Sequence, residues 1–140
     1  MASGVSPAAL RAAREKAGLT QHQLARLIGV VGGERVSRWE RGSSEPRPDI
    51  LVRLAKALRL RVIELLDVEA AGPDLRALRF IVGMSATELA AAAHVSKATY
   101  LRWESGRWKR QPSPTHIKAL ASALRVKQAV VLEALNRERP

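Results

Sequence analysis

The residues best suited to chemistry occur twice in the sequence, in two similar segments 64 positions apart. The first segment reads RWERG, residues 38–42, and the second reads RWESG, residues 102–106. Glutamate acts as a general acid or base in many enzymes, arginine binds phosphate or base edges, and tryptophan offers a flat surface for stacking. The repeated segment therefore indicates proton transfer, nucleic-acid binding, or a shared structural role for the same letters.

Other signatures of enzymes and metal sites are missing from the sequence. The histidines His22, His94 and His116 have no second histidine or carboxylate at metal-ligand spacing, and there is no cysteine. Neither a Gly-x-Ser-x-Gly elbow nor a Gly-x4-Gly-Lys phosphate loop is present. We therefore expect a protein that is not an enzyme, with no catalytic residue, no metal, no cofactor and no small-molecule ligand.

The charge balance points to a polyanionic partner. Lys and Arg total 24 against 13 Asp and Glu, which gives a net charge of +11. Residues 1–70 have 12 basic and 8 acidic groups, and residues 71–140 have 12 and 5, so both halves are basic. Such a chain binds nucleic acid, an acidic membrane face or an acidic protein. No apolar run is long enough to span a bilayer and the N-terminus does not resemble a signal peptide, so we expect a cytoplasmic protein with no membrane partner.

The sequence is an internal repeat. Gly18 aligns with Gly83 at an offset of 65, Trp39 with Trp103 at 64, and the Leu-Ala pair at residues 54–55 with that at 120–121 at 66. The first repeat therefore has one extra residue before its tryptophan, and the second has a loop two residues longer after it. A period of this length indicates a duplicated domain rather than a solenoid unit.

Each repeat is predicted to form five short helices. Capping boxes at residues 20–23 and 85–88 mark the starts of the second helices, and Gly42 and Gly106 end the third. A short fifth helix is expected in VIELL and in AVVLEAL. Aromatic residues are scarce, which argues against a sheet. We predict an all-α protein with two tandem five-helix domains, residues 1–67 and 74–140, joined by a short linker at residues 68–73.

Each repeat resembles the Cro/phage-repressor-type (XRE-type) helix-turn-helix domain, a lambda-repressor-like fold. The first carries GLTQHQLARLIGV, VSRWERG and PRPDILVRLAKAL, and the second carries GMSATELAAAAHVSKATYLRWESG and PSPTHIKALASAL. The similarity covers residues 6–67 and 73–136, nearly the whole chain. It implies that double-stranded DNA is the partner and that the third helix of each repeat lies in a major groove.

The resemblance also implies which side chains contact DNA. Arginine suits guanine, a small methyl suits the thymine methyl, and a carboxylate suits the cytosine amine. For Arg38 and Arg102 the alternative is a solvated charge. The positions that resemble base readers are Glu34, Arg35, Arg38, Lys97, Ala98 and Arg102. Contacts to the DNA backbone are expected from Gln21, Arg41, Arg47, Thr99, Arg107, Lys109 and Arg110. Around Trp108 the alternative is a solvated loop in which the tryptophan covers the edge of the core.

A structural role is expected for the other letters of the repeated segment. In the resemblance Trp39 and Trp103 are core positions that pack on the fourth helix. The carboxylates of Glu40 and Glu104 pair with an arginine of the first helix in the same repeat, which locks the third helix onto the first. The partners in this sequence are Arg14 and Arg79. The sequence does not determine the first residue of the third helix in the first repeat, because residues 31–33 can form a wider turn.

Two functions compete at this level. The first is a sequence-specific transcriptional regulator, acting as a repressor, whose two modules meet major grooves roughly 34–36 Å apart. A homodimer that reads a longer palindrome is a variant of it. The second is an antitoxin or adaptor, in which one helix-turn-helix domain binds DNA and the other binds a protein. The irregular residues 31–33, or Ala86 in place of a glutamine, would be its signature.

Overall fold

The structure, a computed structural model, describes residues 4–137, and the regular secondary structure of this part consists of helices and one isolated β-bridge. The all-α fold is therefore confirmed, whereas the expected domain limits at residues 1 and 140 lie outside the described residues. No helix of the described part is both long and apolar enough to cross a membrane. The helices are α1 Pro7–Lys16, α2 Gln21–Leu27, α3 Glu34–Arg41, α4 Pro48–Ala57, α5 Leu75–Val82, α6 Ala86–Ala92, α7 Lys97–Ser105, α8 Pro114–Leu124 and α9 Gln128–Arg137.

Local side-chain chemistry sets most helix ends. The capping boxes that begin α2 and α6 are formed, each with hydrogen bonds in both directions. Helices α3 and α7 both end at a glycine in the left-handed region, Gly42 at φ 76° and Gly106 at φ 75°. A side chain at that φ is strained, so glycine is favoured there. These signals are local in sequence and hold both copies of the domain to one pattern.

The short fifth helix expected in the first repeat is present, but it is a 3-10 helix and not an α-helix. Residues Val62–Leu65 form this single 3-10 turn. The chain around it is drawn into an extended pairing with the N-terminus: the Ser6 amide donates to the Leu65 carbonyl at 2.8 Å, and the Asp67 amide donates to the Gly4 carbonyl at 2.8 Å. An extended chain at these positions cannot continue a helix. The second repeat has the full helix, α9.

Two hydrophobic cores form, and helix α5 contributes to both. Leu75 and Leu78 pack into the core of the second repeat. Ala77 and Phe80, on another side of the same helix, belong to the core of the first repeat. All four side chains are buried. The repeats therefore share a packed helix rather than meeting only through their connecting segment.

The segment between the repeats is fixed from the far end of the chain. The Arg137 guanidinium, on α9, donates to the Pro73 carbonyl at 2.8 Å and to the Ala71 carbonyl at 2.6 Å. Gly72 lies between these acceptors with φ 116°, and a Cβ there would meet the Arg137 side chain at 3.0 Å. Residues 68–73 are thus held against the second repeat.

Candidate nucleic-acid interface

An arginine–glutamate pair ties α3 to α1 in the first repeat. Arg14 donates from Nε to Glu40 Oε2 at 2.6 Å and from Nη2 to Oε1 at 2.9 Å, and its Nη1 donates to the Leu19 carbonyl at 2.8 Å. Burial raises the pKa of Glu40, but hydrogen bonds from Arg14 and Gln21 outweigh it and leave the pKa below its ordinary value. The carboxylate is thereby held ionised and bound on both oxygens.

The second repeat builds the same pair between α5 and α7. Arg79 donates from Nε to Glu104 Oε2 and from Nη2 to Oε1, both at 3.0 Å, and from Nη1 to the Met84 carbonyl at 3.1 Å. Burial lowers the pKa of Arg79, but the hydrogen bond and negative charge of Glu104 raise it by more, so the pKa of Arg79 stands above its ordinary value. Both carboxylates that suggested proton transfer are therefore engaged in bidentate pairs that orient the third helices.

The tryptophans of the repeated segment lie in the cores. Trp39 is 3% exposed and Trp103 is 5% exposed. Trp103 meets Tyr100 edge to face, with ring centroids 6.4 Å apart, and lies 5.5 Å from the His116 ring on α8. Neither indole face is open to a base. Their burial directs the opposite side of each third helix to the surface.

The surface of α3 is paired within the helix itself. Arg38 Nη2 lies 3.0 Å from Glu34 Oε1, one turn away, and both side chains are largely exposed. The guanidinium of Arg35 stands over the Trp39 ring at 5.6 Å. The base readers expected in the first repeat are thus together on one helix, and each has a partner there. We call Glu34, Arg35 and Arg38 the paired face.

The start of α3 is determined by a close approach of two backbones. A Cβ on Gly33 would lie 2.8 Å from the amide nitrogen of His22, on α2, so only glycine fits. Gly33 is the N-cap of α3 and provides no capping side chain. Its counterpart at the repeat offset is Lys97, so the first repeat has no side chain where the second places a lysine. The wide turn expected at residues 31–33 leaves Val31 97% exposed.

The surface of α7 has unpaired cations. Ser96 caps the helix, because its hydroxyl accepts from the Thr99 amide at 3.1 Å and donates to the Thr99 hydroxyl at 3.0 Å. Lys97, Ala98 and Arg102 are exposed beyond it. Within residues 4–137 neither cation has an ion pair. Leu101, 41% exposed, lines a shallow hollow with Ala98 and Arg102. Sequence reasoning missed Leu101, although its exposure follows from its place opposite the core.

The loop after α7 extends this cationic surface. Trp108 is 7% exposed and belongs to the core of the second repeat. Its indole therefore covers the edge of the core and does not face solvent. The cations around it are exposed and line a second hollow with Thr99. A buried anchor between exposed charges fixes where the loop presents them. We call these cations the basic rim: Arg102, Arg107, Lys109 and Arg110.

The remaining expected backbone contacts lie in the first repeat. Gln21 Nε2 donates to Glu40 Oε1 at 3.1 Å, which uses its side chain to support the Arg14 pair. Arg47 Nη2 lies 3.4 Å from Asp49 Oδ2, and Arg41 is exposed on the last turn of α3. Gln21 is therefore a positioning residue in this geometry. The second repeat has Ala86 at the equivalent position.

No cluster of three or more metal-ligating side chains is found within residues 4–137. A family model described as helix-turn-helix matches residues 10–65 and matches again at residues 75–127. Each matched segment contains one arginine–glutamate pair and one third helix. A search of curated proteins finds no match.

Proposed function

The chain belongs to the helix-turn-helix family of the Cro/phage-repressor (XRE) type, and on this premise we propose that it is a transcriptional repressor specific for a DNA sequence. Members of this family are DNA-binding transcription regulators rather than enzymes. We propose that residues 1–67 and 74–140 are the two DNA-binding modules, with residues 68–73 between them. The protein acts in the cytoplasm on the nucleoid, needs no cofactor and no small-molecule ligand, and is also able to form a homodimer.

One observation carries this proposal: each third helix is held by contacts on its core-facing side and is exposed to solvent on its opposite side. The arginine–glutamate pairs and buried tryptophans hold α3 and α7, while the paired face and the basic rim point to solvent. A rigid helix with exposed arginines on one stripe suits the major groove, where arginine binds guanine O6 and N7. Repression follows by occupancy, because a protein bound across promoter DNA excludes other proteins from it.

In this mechanism the two kinds of contact divide between the helix and the loop. Lys97, Ala98 and Arg102 read bases from α7, and Arg38, Arg35 and Glu34 read them from α3. Phosphates are contacted by the other basic-rim residues and by Thr99, Arg41 and Arg47. Gln21 supports the Arg14–Glu40 pair and so helps to position α3. Phosphate contacts set the register of the helix, and base contacts select the sequence.

The adaptor function is the second candidate, and the paired face is the observation that favours it. An exposed Glu34 repels phosphates, and Arg38 is already partnered by it. In that case α7 alone binds DNA and the first repeat binds a protein. An antitoxin has this division of labour.

Electrophoretic mobility shift with a salt titration separates the two functions. The site is first selected from random duplexes, and then Arg38→Ala, Arg102→Ala and the control Lys56→Ala are compared on it. Lys56 is an exposed cation of α4 and lines a hollow with Leu27 and Arg53 that includes no residue of α3 or α7. If both modules read DNA, both arginine variants lose specific affinity, each by about 1–3 kcal/mol, while the control keeps it.

Loss with Arg102→Ala alone supports the adaptor instead. No loss with either variant contradicts the assignment of α3 and α7 as reading helices. Absence of any selected sequence contradicts the repressor proposal as a whole.

A further inference from the structure

The two repeats meet through unlike surfaces. Helix α5, the first helix of the second repeat, packs on α4, the fourth helix of the first. Phe80 is buried in the core of the first repeat, and a Cβ built on Gly83 would lie 3.0 Å from the Val52 side chain. First helix on fourth helix is a heterologous, head-to-tail contact, in which each partner uses a different face.

A two-fold arrangement would require the converse contact, α1 on α8, and the described residues do not make a comparable one. The residue types explain why. The counterpart of Phe80 is Glu15, which is exposed and paired with Arg11 at 3.0 Å. The counterpart of Val52 is Lys118, which is exposed. Neither charged position can supply the apolar surface that Phe80 and Val52 present at the α4–α5 contact, so within residues 4–137 the interface exists in one direction only.

Polar contacts fix this arrangement in place. Glu45, in the loop after α3, accepts from the Val5 amide at 2.9 Å and also binds the Arg76 guanidinium. Arg76 Nε lies 3.8 Å from Glu104 Oε1, the carboxylate that positions α7. One guanidinium thus connects the loop behind one reading helix to the residue that holds the other. With residues 68–73 pinned by Arg137, the repeats have little freedom to reorient.

We propose that one chain binds a DNA site whose two half-sites run in the same direction. This rests on the proposed function. In dimeric helix-turn-helix proteins the palindromic operator mirrors the two-fold axis of the protein. For two modules to dock alike in inverted half-sites, a two-fold axis must relate them. For two modules to dock alike in direct half-sites, a translation along the duplex combined with a rotation about it must relate them. The interface excludes the two-fold relation, so direct half-sites are the arrangement that lets both modules dock alike.

Because the natural reading helices differ, the direction is hard to see in the parent site. A variant with Glu34→Ala, Arg35→Thr and Ser37→Leu gives α3 the surface residues of α7 at the matching positions. All three positions lie outside the buried core, so we expect the variant to fold. Site selection from random duplexes is run on this variant and on the parent chain. The variant should select two words in the same direction that share the bases read through Ala98 and Arg102 and differ where Gly33 provides no counterpart of Lys97. The parent chain should select the α7 word once.

Directed cleavage measures the same direction without relying on the substituted helix. The chain has no cysteine, so a single introduced cysteine accepts an iron chelate at one position. His22→Cys and Thr87→Cys place it at equivalent exposed positions on α2 and α6. On the parent site, both cleavage patterns should be displaced from their half-sites toward the same end of the duplex. Sedimentation of the complexes gives the number of chains on each site.

Displacement toward opposite ends within one bound chain overturns the inference, as does a selected word in inverted orientation on a one-chain site. Cleavage from only one of the two positions also overturns it and supports the adaptor. Failure to select any sequence contradicts the proposed function itself, so the two failures are distinguishable.

Discussion

The outer surfaces of α3 and α7 are held by the same scaffold but differ in their electrostatics. On α3 the arginines are partnered one turn away, Arg38 by Glu34 and Arg35 by the Trp39 ring. On α7 the cations Lys97 and Arg102 have no ion pair within residues 4–137, and the basic rim continues from them. Partnered arginines must leave a contact before they bind DNA, whereas unpaired ones do not.

The difference teaches how a duplicated domain divides its work. Exposed, unpaired cations of a protein displace the counterions condensed on DNA, and the resulting affinity for DNA falls steeply as the salt concentration rises. Arginines compensated by a carboxylate add little to that general attraction and depend more on the base they meet. We therefore expect the second repeat to supply most of the non-specific affinity and the first to supply selectivity.

The largest effect is expected where the repeats share a helix. Phe80→Ala should lower the free energy of unfolding by about 3–5 kcal/mol, because it empties a buried aromatic site between the repeats. Its counterpart variant Glu15→Ala, at an exposed position, should change it by less than about 1 kcal/mol. Denaturant unfolding followed by circular dichroism measures both. Equal effects would contradict the one-directional interface.

The next effect concerns the arginine–glutamate pair of the first repeat. Glu40→Gln should cost about 3 kcal/mol at neutral pH, because Arg14 loses its buried charged partner. Since hydrogen bonds lower the folded-state pKa of Glu40, its contribution is present above the unfolded pKa and is lost as pH falls through the folded value. Unfolding curves from pH 7 to pH 3 should therefore show a smaller loss of stability for the variant than for the parent chain.

Gln21→Ala provides the matched test for that pair, because it gives the first repeat the small residue that the second has at Ala86. It removes one hydrogen bond to Glu40 and should cost about 1 kcal/mol. If Glu40→Gln and the parent chain lose the same stability between pH 7 and pH 3, titration of Glu40 does not cause the acid-induced loss of stability.

A smaller effect tests the paired face directly. Glu34→Gln should release Arg38, raise affinity for unrelated DNA and steepen the dependence of log affinity on log salt by about one unit if Arg38 then binds a phosphate. Fluorescence anisotropy with a random duplex between 50 and 200 mM salt measures it. The same variant at the selected site should lose discrimination. A salt slope equal to that of the parent would mean that Glu34 does not restrain Arg38.

The smallest effect distinguishes the two capping boxes. Hydrogen bonds from Ser85, above all from its backbone amide to the Glu88 carboxylate at 2.9 Å, lower the pKa of Glu88. The first repeat has Gln23 at this position, which does not titrate. The cap of α6 should therefore weaken as pH falls through the lowered pKa of Glu88, while the cap of α2 stays constant. Backbone amide chemical shifts at residues 20–23 and 85–88, followed from pH 6 to pH 3, report this. Glu88→Gln should abolish the difference.

The helices could be predicted from the sequence because their signals are local. Caps, terminal glycines and the spacing of apolar residues lie within a few positions of the elements they determine. The Glu34–Arg38 contact also follows from the sequence, as opposite charges one helical turn apart, although the family resemblance assigns the two side chains separate roles as base readers.

Long-range contacts account for what the sequence did not reveal. Phe80 lies on a helix with apolar residues on more than one side, and nothing local assigns it to the core of the first repeat. Gly33 is required by the backbone of α2, which its own neighbours do not indicate. The 3-10 turn at Val62–Leu65 depends on pairing with residues near the N-terminus.

The sharing of α5 has a consequence for synthesis on the ribosome. The first repeat leaves the exit tunnel before Ala77 and Phe80, so its core lacks two of its side chains while its other helices are already available. It completes that core only when the first helix of the next repeat emerges. A nascent chain halted near residue 70 should thus be more sensitive to protease than one halted after α5 is exposed, and maturation of the first module waits on translation of the second.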